Sequence, residues 1–181
     1  ILNIETTGLT QDADNFSGTI YGTGTAIAAM RIDDLANNGT ININHNVATS
    51  LTANLKTDTA SDALTINIGG ATGNVTLASL IPSTTYENVT VNSQGTAANT
   101  LSAIGGVINN MTFTGATAIT VSSINNITGV VDFTASTANN TVTVTDTSAQ
   151  TVSFGSGNDT LTTGIVDSST QTINGGAGND T

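Results

Sequence analysis

The chain has no cysteine, no tryptophan, a single proline and only two basic side chains, Arg31 and Lys56, in 181 residues. Each shortage closes a class of explanation. Without cysteine there is no disulfide framework, so any staple must come from metal or from stacking. Two cations against 13 acids leave a net charge of -11. Such a surface cannot neutralise a phosphate backbone, which excludes nucleic acid as a partner. It excludes an anionic membrane surface for the same reason. No apolar run approaches the ~20 residues of a membrane-spanning helix, so membrane insertion is not expected. Charged residues are 8% of the chain and aromatics 3%, where an ordinary globular chain has roughly 25% charged residues. Disorder rich in Lys, Glu and Pro does not fit this composition.

Polar, uncharged strand and turn formers dominate instead. Thr supplies 37 residues, Asn 22 and Gly 19. Thr and Val favour strands, while Asn and Gly favour turns and tolerate left-handed backbone. From about residue 63 the pattern becomes periodic. Leu64-Thr65-Ile66-Asn67-Ile68, Val89-Thr90-Val91, Met111-Thr112-Phe113-Thr114 and Val142-Thr143-Val144 alternate apolar with polar residues. That is the period-2 signature of a strand with one buried face. One strand set recurs at Ile66, Val89, Thr112, Val131, Val152 and Ile173, and a second at Leu77, Leu101, Thr120, Thr143 and Leu161. Two short strands per ~20 residues predict an all-β parallel β-helix or β-roll, whose coils bury their apolar faces collectively. An antiparallel sandwich would also show short strands at regular intervals, but the scarcity of aromatics favours the solenoid. Phe113, Phe133 and Phe154 recur at the spacing of these coils, which predicts an aromatic stack on successive coils.

Residues 1–62 are less regular and read as an irregular N-terminal part of the solenoid. Residues 25–35 contain no Gly, Pro or Asn and are rich in Ala, Met, Arg and Leu, so a short helix is expected there. Residues 63–153 read as the parallel β-helix and 154–181 as glycine-rich coils. Pro82 is expected in a loop over 80–85, where it removes no ladder hydrogen bond. Ile1 opens within an alternating segment and Thr181 stops inside a motif, so the reading expects an internal fragment of a longer chain.

Two motifs carry chemistry. One is Gly155-Ser156-Gly157-Asn158-Asp159-Thr160-Leu161, preceded by Phe154. The other is Gly175-Gly176-Ala177-Gly178-Asn179-Asp180-Thr181. They resemble the calcium-binding nonapeptide of repeats-in-toxin proteins, Gly-Gly-x-Gly-x-Asp-x-apolar-x. The first departs from it by placing Phe154 where the leading Gly belongs. Gly157 and Gly178 stand one coil of the predicted solenoid apart. Glycines admit turn conformations closed to other residues, and Ca2+ takes six to eight oxygen ligands from carbonyls and carboxylates. The resemblance implies one calcium ion between the two turns. Asp159 and Asp180 would give carboxylates, and Gly155, Gly157, Gly176 and Gly178 carbonyls. More broadly, the composition resembles type-I-secreted surface-layer proteins and large repeats-in-toxin adhesins, which implies secretion to the cell surface.

Other acids are secondary candidates for a cation. Asp12 and Asp14 sit in a stretch like part of a calcium loop, without the bidentate Glu of an EF-hand. Asp33 and Asp34 are expected at the end of the proposed helix. Asp58 and Asp62 are expected to face solvent, and Asp132 to point outward. His45 is the only histidine, so no His-pair metal site exists, and its Asn-rich surroundings offer no nucleophile elbow. The expectation is therefore no enzyme. The leading reading is a structural subunit of a self-assembling, calcium-dependent extracellular layer or filament. Its partners would be copies of itself, with cell-surface polysaccharide engaged through parts outside this stretch. The alternatives are a spacer in a large adhesin and a β-helical polysaccharide-degrading enzyme.

Overall fold

Alternation of apolar and hydroxyl side chains gives each coil two short strands, each with one face to bury. The computed structural model describes residues 9–12, 17–20, 27–71, 73–82, 85–145, 150–164 and 170–181. There the chain is a parallel β-solenoid with coils of about 21 residues. One sheet stacks β1 (Leu9–Asp12), β3 (Ile27–Leu35), β5 (Val47–Leu55), β7 (Thr76–Leu77), β10 (Asn99–Leu101), β12 (Ile119–Ile124), β14 (Thr141–Val144) and β16 (Thr160–Thr163). A further strand, β8 (Leu80–Pro82), also pairs β5. The facing sheet stacks β2 (Ser17–Ile20), β4 (Gly39–Ile43), β6 (Ala63–Ile68), β9 (Tyr86–Ser93), β11 (Ile108–Gly115), β13 (Val130–Ser136), β15 (Thr151–Ser153) and β17 (Thr172–Asn174). Strand pairing is parallel throughout both sheets.

Period-2 alternation sets what is buried. Leu64, Val89, Met111, Val131 and Val152 pair in turn and all face the core. The true partners of Val89 are thus Leu64 and Met111, whereas the sequence reading aligns it with Ile66 and Thr112. The error is one of register: the period identifies the strands, but turn length decides which residues stack. The expected aromatic stack is present. Phe113 and Phe133 lie 4.2 Å apart with planes 2° from parallel, and Phe133 and Phe154 lie 5.1 Å apart at 22°. Outside the facing sheet, amides form a ladder. Asn67 Nδ2 donates to Asn42 Oδ1 at 2.6 Å, Asn92 Nδ2 to Asn67 Oδ1 at 3.0 Å, and Thr114 Oγ1 caps the row on Asn92 Oδ1 at 3.3 Å.

Three expectations are corrected. The described part of the expected helix over 25–35 is a strand: Ile27–Leu35 is β3, paired on one side with β1 and on the other with β5. Met30, Ile32 and Leu35 are buried while Arg31 is exposed. Pairing on both edges outweighs helix propensity, which is only a weak prior. Pro82 ends β8, buried opposite Ala53, rather than lying in a loop. Asp62 is fully buried, not solvent-facing. Its carboxylate accepts the backbone N–H and the hydroxyl of Thr59, and its own N–H donates to Glu87 Oε2 at 2.7 Å. The hydrogen bonds of this tight corner offset the burial of the charge.

Candidate metal centre

The two glycine motifs form equivalent turns at one edge of the solenoid, the first leading from β15 of the facing sheet into β16 and the second following β17. Ala177 N donates to Gly155 O at 2.8 Å, and Thr181 N to Asp159 O at 3.0 Å. The coil below comes so close that side chains have no room. A Cβ on Gly155 would overlap the carbonyl oxygen of Ser136, and one on Gly157 that of Ala138. The glycine spacing of the motif is therefore required by backbone stacking itself.

The polar residues of these turns form two columns running up the edge. In the outer column Asn158 N donates to Asn139 Oδ1 at 2.8 Å, and Asn179 N to Asn158 Oδ1 at 2.9 Å. In the inner column each rung's Oδ1 accepts the backbone N–H of the residue one coil earlier. Asn99 takes Val75 N at 2.9 Å, Asn140 takes Ile119 N at 3.3 Å, Asp159 takes Asn140 N at 2.7 Å and Asp180 takes Asp159 N at 2.9 Å. The motif search points to neither Asn99 nor Asn140. The signal that could have found the upper column is the coil-spaced series Asn139-Asn140, Asn158-Asp159, Asn179-Asp180.

Asp159 is 2% exposed, and its Oδ2 is buried with no hydrogen-bond partner. Leaving a buried charged acceptor unmatched costs more than the ~1–3 kcal/mol of a neutral group. Beside it is a partly open cleft of about 290 Å³, lined by Asp159, Asp180 and the apolar Phe154, Leu161 and Ile173.

No family model, curated protein or solved structure matches this chain. The resemblance to repeats-in-toxin proteins therefore rests on the residues of the two turns.

These residues fit a hard cation in part. The orphaned Oδ2 of Asp159 and the neighbouring carboxylate of Asp180 supply oxygen, the donor Ca2+ prefers. Gly155 O, expected as a ligand, already accepts the Ala177 N–H, and both Oδ1 atoms serve the ladder. Among the described residues no three His, Cys, Asp or Glu side chains converge as a metal group. An ion here would draw on two carboxylates, and the rest of its shell would come from backbone carbonyls such as those of Gly157, Gly176 and Gly178, and from water.

The secondary candidates fare differently. Asp12 and Asp33 are in register on adjacent strands, but the side chain of Asp12 and all of Asp14 lie outside the described residues. Asp33 is paired with Arg31 at 2.8 Å and accepts a hydrogen bond from Asn54. The Arg31 and Asn54 hydrogen bonds hold its carboxyl below the usual range. A protein cation thus already serves it. Asp34 sits in β3 with φ of 54°. His45 lines a separate cleft of about 290 Å³ with Asn44, Asn46 and Asn74.

Proposed function

We propose that this chain is a structural segment of a secreted, calcium-dependent surface assembly in which copies of the protein associate into a layer or filament. The observation that carries the reading is the buried, unpartnered Oδ2 of Asp159 next to Asp180, at the edge where two glycine turns stack. A divalent cation would neutralise these carboxylates and tie one coil to the next. It would also relieve the repulsion between copies that each carry a net charge of -11. A parallel solenoid suits a structural element, since each coil is supported only by its neighbours. The test combines light scattering, electron microscopy and circular dichroism of the 181-residue chain, with calcium and with excess chelator. The expected result is ordered assembly in calcium, dispersal by chelator and loosening of residues 150–181 before the rest. A chain that stays monomeric in calcium points to the spacer reading. Scattering and dichroism unchanged by chelator would overturn the calcium dependence.

A further inference from the structure

Four rungs of the inner column, Asn99, Asn140, Asp159 and Asp180, have an Oδ1 that accepts from the coil before, with Ile119 standing between Asn99 and Asn140. The other side-chain atom of these rungs differs. Asn99 Nδ2 donates within the turn that leads to it, to Ser93 Oγ at 3.0 Å and Gln94 O at 2.8 Å, and to Ile68 O at 3.1 Å. Asn140 Nδ2 donates to Ser136 Oγ at 3.0 Å, to Ala138 O at 2.9 Å and to Asp159 Oδ1 at 3.0 Å. In both coils the amide N–H ties the turn's own oxygens to the rung. One coil later Asp159 stands in the place of Asn140, since Thr141 pairs with Thr160. Gly157 lies on Ala138, and Gly155 lies on Ser136. The atom in the place of the donor Nδ2 is now Oδ2, an acceptor, and the hydroxyl of Ser136 has no counterpart. By register, the Gly157 carbonyl takes the place of the Ala138 carbonyl that Asn140 Nδ2 meets. Two acceptors now stand where a donor and an acceptor stood, and Oδ2 is buried without a partner.

We infer that Asp159 is an amide rung rewritten as a carboxylate, and that a divalent cation bound there replaces the missing side-chain N–H. The lateral edge then contains two kinds of turn built on one geometry. Those closed by Asn99 and Asn140 satisfy themselves and hold without an ion. The turn closed by Asp159 closes only when a cation sits between Oδ2 and the turn oxygens. The boundary between unconditional and cation-gated coils falls between Asn140 and Asp159. The identity of the ion rests on the calcium reading above, whereas the rung equivalence rests on the hydrogen bonds alone.

The consequence is the opposite of what loss of a metal ligand would ordinarily give. Replacing Asp159 with Asn restores the donor and makes the coil independent of the ion. The experiment follows amide hydrogen exchange over residues 150–164 in the full chain, for the wild type, Asp159→Asn and Asp159→Ala, each in excess chelator and in calcium chloride. In chelator Asp159→Asn is expected to protect these amides by about tenfold more than the wild type, the scale of one net hydrogen bond. Calcium should not change its protection there, and Asp159→Ala should be poorly protected in both conditions. If Asp159→Asn in chelator is no better protected than the wild type or Asp159→Ala, the rung inference is overturned, even if calcium protects the wild type. If instead calcium leaves the wild type unchanged while Asp159→Asn is still better protected in chelator, the rung equivalence stands, but the cation at Asp159 and the calcium reading are both overturned.

Discussion

The rings of Phe113 and Phe133 stack 4.2 Å apart and 2° from parallel, though they belong to strands β11 and β13 of successive coils. Phe154 continues the stack on the next coil. All three are buried. Val91, which pairs with Phe113, continues their column on the preceding coil, followed by Ile66 and Ile41. This column of the core therefore changes from aliphatic to aromatic along its axis, and the strand register shifts between Thr112 and Thr114, where the rings begin.

Phe133 has a ring on both sides, so its truncation should be the most damaging of the three. Phe133→Ala should cost about 3–5 kcal/mol, the range for deleting a buried aromatic side chain. Phe133→Leu should cost less, because most of the volume is kept. Chemical denaturation of each variant measures this. Equal losses for Leu and Ala would mean that ring stacking, rather than filled volume, sets the stability of these coils.

Glycines should sort by what lies beneath them. Gly157→Ala drives a methyl group into the Ala138 carbonyl, and rigid backbone cannot yield, so the 150–164 coil should lose protection from exchange. Gly73→Ala meets nothing within 4 Å and should be neutral or slightly stabilising, by up to ~1 kcal/mol through the unfolded chain. Comparable losses in the two variants would show that coil spacing is not what demands glycine at 157.

Tyr86 is fully buried and its hydroxyl has no partner. Burial, reinforced by the nearby charge of Asp62, pushes its ionisation well above the ordinary range. The folded state therefore holds a proton that the unfolded state releases once pH passes ~10. Stability should be complete below that pH and fall as pH rises from there toward the folded-state value. Tyr86→Phe removes both the orphaned hydroxyl and this linkage. It should match or exceed wild-type stability at neutral pH, by about 1 kcal/mol at most, and lose less of it at alkaline pH. Thermal melts from pH 7 to 11 test this. A destabilised Tyr86→Phe at neutral pH would mean that the hydroxyl is bonded in solution, for instance to an internal water.

Repetition along the chain was enough to specify the architecture. In a solenoid each residue's main partner is the equivalent residue one coil away, so repetition in the chain is a direct image of repetition in space. The paired strands, the Phe113–Phe133–Phe154 stack and the adjacency of the two glycine turns were legible for that reason. Whatever depends on the neighbour rather than on the period emerged only on folding. Residues 27–35 became a strand because β1 and β5 pair with both edges. Asp62 went inside because the Thr59 corner gave it donors. Asp159 has one oxygen occupied by Asn140, from a turn without the motif, and the other buried without a partner. Composition and spacing name the side chains that recur, but whether a carboxylate meets a donor, another acceptor or water is fixed only when the coil beneath it is in place.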